Sequence, residues 1–283
     1  QFAFVVAGVS PDPLLTAIWA AFTVLAVHVV KHGLTARSAG GLAALAAAAV
    51  LTHPRGAPLA LLALLAAGLG LRRRGVLSGK ALVAAGAAGA AAVLAVLIAG
   101  AGVLDSTSGA RLNPREFASY VWQFYLPKLP FMSPAIGPDY GVKTAFVETF
   151  YGVFASLEVR WRPVVYDVLA GLSLAGLAAL AAVVVRARRR IRPDLALMVA
   201  AIPVTMIAAL HFAAYRNLQL DPDDPIIVGR YLFGLLPLFG VAIAAVVRAL
   251  PRGPSLALGT TLLLTGALLG LSGLGMTAVR FYV

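Results

Sequence analysis

The sequence predicts an all-α fold: a polytopic transmembrane helical bundle of about eight spans, with interfacial helices on its outer face. Three observations predict it. Hydrophobic residues make up 61% of the 283, charged residues only 12%, and mean hydropathy is +0.92. A soluble domain usually carries about 25% charge, so the main solvent of this chain is lipid. Apolar stretches of about 20 residues, enough to cross a bilayer, recur along the chain. Lysine and arginine collect in every second connection between those stretches.

The clear spans are 14–30, 81–103, 164–185, 195–214, 231–247 and 255–279. Residues 38–71 are also apolar but are interrupted by "THPRG" and flanked at both ends by arginine, Arg37 and Arg72. Ends on one side of the membrane require a hairpin of two short helices. Arms of roughly 14 residues reach only about 21 Å, short of a ~30 Å core. His53 and Arg55 at the apex then lie below the outer surface, where a charge is tolerable in a protein-walled or wet cavity.

One set of loops holds Lys31, Arg37, Arg72, Arg73, Arg74, Lys80, Arg186, Arg188, Arg189, Arg190, Arg192, Arg248 and Arg252, with Asp194 as their only acid. By the positive-inside rule these loops are cytoplasmic. Segments 104–163 and 215–229 are then extracytoplasmic, in a multi-pass protein of the plasma membrane. The net charge of +12 reads as topology and contact with anionic lipid, not as a nucleic-acid surface. Without cysteine, the chain has neither disulfides nor thiolate metal sites. Starting at Gln1 beside an apolar stretch, without a methionine or signal peptide, it is expected to be a fragment of a longer chain, one membrane-embedded domain over 1–283.

The insert 104–163 is far longer than the usual connection. In it, "NPREFASYVWQFYLP" carries Asn113 as a helix cap, Pro114 at the first helical position and Glu116 in the first turn. Phe117, Tyr120, Val121, Phe124 and Tyr125 follow at helical spacing, and Pro127 ends the run. A second amphipathic helix is expected over "KTAFVETFYGVFASLEVRW", with Phe146, Phe150, Val153 and Phe154 on one side. Two readings stand for these aromatic helices: a plug on the bundle's outer face, or a lid over a lipid-accessible cavity.

Several ordered elements carry a resemblance. "SPDPLLTAIWAAFTVLAVHVVKHGLTARSAGGLAALAAAAVLTHPRGAPLALL" resembles the middle of a GT-C-fold glycosyltransferase that uses a polyprenyl-phosphate sugar. "VGRYLFGLLPLF" resembles the Arg-Tyr-x-x-Pro-x-x-Pro element of the later spans in that superfamily, and "WQFYLPKLPFM" and "ETFYGVFASLEVRWRPVVYDVL" are similar to an uncharacterised bacterial membrane-protein family thought to share its fold. The resemblance implies transfer of a sugar from a polyprenyl-phosphate donor to a glycan, lipid or protein acceptor at the extracytoplasmic face. It places a catalytic carboxylate at Asp12 and puts His53 where the family's Thr-Lys-x-x-Gly element has lysine, with Arg55 two residues on. The family's first outer loop, with its leading carboxylate, would precede Gln1.

Such chemistry needs cations against a phosphate leaving group and a carboxylate base for the acceptor hydroxyl. Arg230 fits the first need, because arginine presents paired donors and lies on the side where the charge rule does not ask for it. Tyr231 is a hydroxyl donor or a member of the aromatic belt, and Arg216 is a second cation. Asp12 is a base or a plain N-terminal helix acid. Asp223 and Asp224, in "DPDDP" with Asp221, are either oxygen ligands for a divalent cation such as Mg²⁺ or an ordinary proline-bounded turn. Two other functions remain open: a transporter or flippase for a lipid-linked or small solute, and a non-catalytic subunit of envelope assembly. No paired repeat of the transporter kind is visible in the sequence.

Overall fold

The computed structural model describes residues 12–78, 113–133, 141–154, 159–221 and 227–282. Its helices are α1 (Asp12–His32), α2 (Ala36–Thr52), α3 (Pro58–Arg73), α4 (Pro114–Tyr125), α5 (Pro163–Ala187), α6 (Pro193–Leu220), α7 (Leu236–Arg248) and α8 (Arg252–Tyr282). Short 3-10 turns, Pro54–Gly56 and Gly229–Leu235, lead into α3 and α7. Six stretches are long and apolar enough to cross a membrane: Asp12–His32, Pro54–Arg73, Pro163–Ala187, Pro193–Leu220, Gly229–Arg248 and Arg252–Phe281. Ala36–Thr52 is apolar but shorter. The chain is therefore the helical membrane bundle its composition predicts; the expected span 81–103 lies outside the described residues.

The chain divides into two compact units. One comprises Ala17–Val142 and Pro193–Ile227, the other Gln1–Thr16, Lys143–Arg192 and Val228–Val283.

In the first unit, Trp19, Phe22, Ala26, Val29 and Val30 form a fully buried stripe along α1, at the three- and four-residue spacing of one helix face. Gly33, at φ +92°, turns the chain into α2, a conformation that glycine adopts without penalty. Thr35 and Ser38 then form a reciprocal cap: Thr35 Oγ1 accepts the Ser38 N–H at 3.1 Å and Ser38 Oγ accepts the Thr35 N–H at 2.9 Å. This cap starts α2 before Ser38, so the hairpin arms outrun the sequence estimate. Ala36–Thr52 has 17 residues and Pro54–Arg73 has 20, or about 26 and 30 Å at 1.5 Å per residue. The second arm alone can cross the core, and the apex lies closer to a membrane face than shorter arms would set it. There the two backbones touch: a Cβ on Gly56 would lie 2.3 Å from the Ala49 carbonyl.

Helix α6 has 28 residues, about 42 Å, against a ~30 Å core. Counted from its arginine-rich end, its last two turns pass beyond the hydrocarbon, and α4 packs against that end. The cap expected for α4 is present, with Asn113 Oδ1 accepting the N–H groups of Arg115 and Glu116 at 3.0 and 3.4 Å. The helix stops at Tyr125, two residues before Pro127.

In the second unit, α5 and α8 bury little of themselves; 6% of each apolar window is inside. Helices apolar all round with so little protein contact present their surface to lipid. The second amphipathic helix does not form as expected. Lys143–Glu148 is a π-helical turn, Thr149–Tyr151 adds one α turn, and β1 (Val153–Phe154) then pairs antiparallel with β2 (Val159–Arg160). Two causes are visible. The wider π turn rotates the apolar residues off a common α face. Gly152 then leaves the helix in an extended conformation, where its carbonyl accepts the Tyr166 hydroxyl at 2.6 Å. The same hydroxyl accepts the Trp161 N–H at 3.1 Å, so one side chain on α5 holds both strands. Trp161, Tyr166 and Leu169 form the buried cluster beneath them, joined by Val147, Tyr151, Leu269 and Met276.

Candidate functional site

Two polar constellations stand out, one in each unit. In the second unit, the turn Gly229–Leu235 lies against the segment Lys143–Tyr151. Thr149 Oγ1 donates to the Ala145 carbonyl and accepts the Gly229 N–H. A Cβ at Gly229 would lie 2.6 Å from the Phe146 carbonyl oxygen and the Phe150 nitrogen. Only glycine permits this approach, and it fixes where the next residue departs. That residue is Arg230. Its guanidinium carbon lies 5.6 Å from the centre of the Tyr231 ring, within the reach of a cation–π contact. Its Nε is buried without a hydrogen-bond partner, as is Trp19 Nε1 elsewhere among the described residues. Behind the turn, Phe150 meets Phe233 edge-on at 5.6 Å and Phe239 at 6.1 Å, which makes this side of the site apolar. Asp12 belongs to the same unit. It is the first residue of α1, buried, and its carbonyl accepts the Thr16 hydroxyl at 2.8 Å.

His53 and Arg55 are brought together in the first unit. His53 ends α2 and caps the following turn, its Nδ1 accepting the Arg55 backbone N–H at 3.1 Å and Arg55 Nε at 3.2 Å. His53 Nε2 also lies 3.1 Å from Arg55 Nη2. His53 thus has a structural task, and Arg55 is the cation of the pair. Arg216 is half-buried on α6 of the same unit. Asp223 and Asp224 lie outside the described residues. No group of three or more His, Cys, Asp or Glu side chains suited to a metal occurs among the described residues.

The residue that sequence reasoning missed is His211. It is 2% exposed on α6, one of only four histidines in the chain. Its Nε2 lies 2.7 Å from the Tyr125 hydroxyl and its Nδ1 lies 3.3 Å from the Tyr120 hydroxyl. Phe124 packs edge-on to its ring at 4.7 Å. One turn further along α6, the Tyr215 hydroxyl donates to Glu116 Oε2 at 3.3 Å, and Asn113 Nδ2 donates to Oε1 at 2.8 Å. Glu116, which reads from sequence as a surface acid, therefore ties α4 to α6. Both α4 phenols are pushed above the usual tyrosine range, by burial first; Tyr120 also feels Tyr125 beside it. The signal was present in the sequence: a histidine in an apolar run needs partners, and the nearest candidates were the regularly spaced tyrosines of α4.

Compared with family models, curated proteins and solved structures, the chain matches none. The reading of function therefore rests on the sites themselves and on the motif resemblance.

Proposed function

We propose that this protein is a polytopic membrane glycosyltransferase that takes a sugar from a polyprenyl-phosphate donor and passes it to an acceptor at the extracytoplasmic face. The observation that carries the reading is Arg230. A guanidinium donor buried without a partner is unfavourable by about 1–3 kcal/mol, and it is aimed by a turn that only glycine allows. An anionic oxygen is the complement such a donor lacks. A lipid phosphate supplies one, and the exposed apolar surfaces of α5 and α8 suit its hydrocarbon chain.

In this mechanism Arg230 binds the donor phosphate and offsets the charge that grows on it as the glycosidic bond breaks. Tyr231 holds the guanidinium plane. Asp12 accepts the proton of the attacking hydroxyl. Asp223 and Asp224 are the residues that would hold a divalent cation, which would offset phosphate charge.

Binding of a polyprenyl-phosphate sugar to the purified chain, for wild type, Arg230→Lys and Arg230→Ala, tests the proposal. A charge-assisted hydrogen bond contributes about 1.5–3 kcal/mol, on the order of 10- to 100-fold in affinity. Arg230→Ala should lose that factor, and Arg230→Lys part of it, because lysine is a single point charge. Unchanged affinity in Arg230→Ala would end the assignment.

A further inference from the structure

The second unit contains a cavity that the proposed reaction does not use. It is a shallow, widely open groove with a volume of about 620 Å³, lined by Val159, Arg160, Gly275, Met276, Val279 and Arg280. That size lies within the range of small-molecule sites. Its wall is held firmly. Val159 and Met276 pack on the buried cluster of Trp161, Tyr166 and Leu169, and Trp161 Nε1 donates to Ser272 Oγ on α8 at 3.2 Å. Two guanidinium groups thus share one mouth with apolar Val159, Met276 and Val279.

The cavity's depth follows from helix length. Arg252–Tyr282 has 31 residues, about 46 Å, against a ~30 Å core. Arg252 and Arg280 lie about 42 Å apart along the helix, close to the ~40–45 Å of a bilayer with its headgroups, so Arg252 in one headgroup layer sets Arg280 in the other. Val279 is 62% exposed beside it, on a helix that buries almost none of its apolar surface. Cations at headgroup level above a bare apolar helix match a molecule that is anionic at one end and hydrocarbon at the other. Glu148 Oε2 lies 3.8 Å from Arg160 Nη1, a carboxylate that would compete with a phosphodiester for this guanidinium.

We propose that Arg160 and Arg280 bind the phosphodiester of an anionic membrane phospholipid, with an acyl chain laid along α8 past Met276 and Val279. The phospholipid is a resident of the bilayer, and the proposal does not depend on the glycosyltransferase reading.

The test is native mass spectrometry of the purified protein titrated with phosphatidylglycerol or phosphatidylcholine, with sn-glycerol 3-phosphate as a soluble competitor. Phosphatidylglycerol should bind on the order of tenfold more tightly than the zwitterionic lipid. The soluble phosphate at equal concentration should not displace it. Arg160→Gln with Arg280→Gln should abolish that preference. Arg280→Gln alone, at an exposed position near the end of α8, should reduce it and decides the matter if the double variant does not fold. Glu148→Gln should tighten binding, a change of sign that general damage to the fold does not produce. Equal binding of the two lipids, full retention of the preference in Arg280→Gln, or weaker binding in Glu148→Gln would overturn the proposal. Displacement by the soluble phosphate would make this a site for free phosphate esters and would refute the lipid assignment.

Discussion

Tyr125→Phe isolates one hydroxyl in the clasp between α4 and α6. The ring stays, with its contact to His211 at 5.2 Å between centroids; only the 2.7 Å bond to His211 Nε2 is lost. His211 is 2% exposed, so water does not readily replace the partner. A net hydrogen bond contributes about 0.5–1.5 kcal/mol, and a buried partner left unsatisfied adds to the loss, so about 1–2 kcal/mol is expected. At roughly 2–4 °C per kcal/mol, Tm should fall by a few degrees. Tyr120→Phe breaks only a 3.3 Å contact and should cost less. The decisive measurement is a double-mutant cycle with His211→Leu, because the lost hydroxyl should then have no further effect on stability. An equal loss from Tyr125→Phe in both backgrounds would refute the clasp. The phenols also give a pH signature. Their folded pKa values are raised by burial, so their contribution is complete below the ordinary tyrosine value near 10 and is lost as pH rises above it. Wild type should therefore lose more stability above about pH 10 than the Tyr120→Phe, Tyr125→Phe double variant.

Tyr166→Phe should cost about 2–4 kcal/mol, because the hydroxyl serves the Gly152 carbonyl and the Trp161 N–H together and both are left buried; hydrogen exchange at Trp161 in the variant reads the effect directly. Sidedness is tested by single cysteines in intact cells. Those at Arg73 and Arg189 should resist an impermeant thiol reagent while one at Lys128 reacts, and the reverse pattern would invert the topology.

The bundle was legible because lipid imposes a strong rule. Long uncharged runs must become helices, and the runs around Trp19, Leu174, Ile202 and Leu263 all do so. Asn113, Pro114 and Pro127 marked α4 almost to the residue, since caps and prolines act locally. The segment after Lys143 was not legible. Its apolar spacing fits an α-helix, but whether a Tyr166 hydroxyl captures the Gly152 carbonyl depends on a residue 14 positions away. The Ala36 start was missed because a Ser–Thr capping box is less distinctive than one with glutamate. Among the site residues, His53 and Arg55 were named for depth and charge. Their mutual bond arises because a histidine before proline is extended and points its ring back at the turn. His211 was missed because its partners lie 86 and 91 residues away in sequence.

These polar side chains solve the same problem in different ways, and the difference leads to a last prediction. In apolar surroundings every polar side chain must find a partner or remain at a cost. His211 has two phenols and His53 has its own turn. Arg230 Nε has none among the described residues. A residue kept for packing would not carry that deficit, since methionine fills a similar volume without a donor. If Arg230 is retained for a ligand, the ligand-free protein should be more stable without it. Arg230→Met should then raise the unfolding free energy of the ligand-free chain by about 1–3 kcal/mol while abolishing the stabilisation that a polyprenyl-phosphate sugar gives to wild type. A loss of stability in Arg230→Met of the same size would instead make Arg230 a structural residue of the Gly229–Leu235 turn, held by Tyr231 and by packing of its methylene stem.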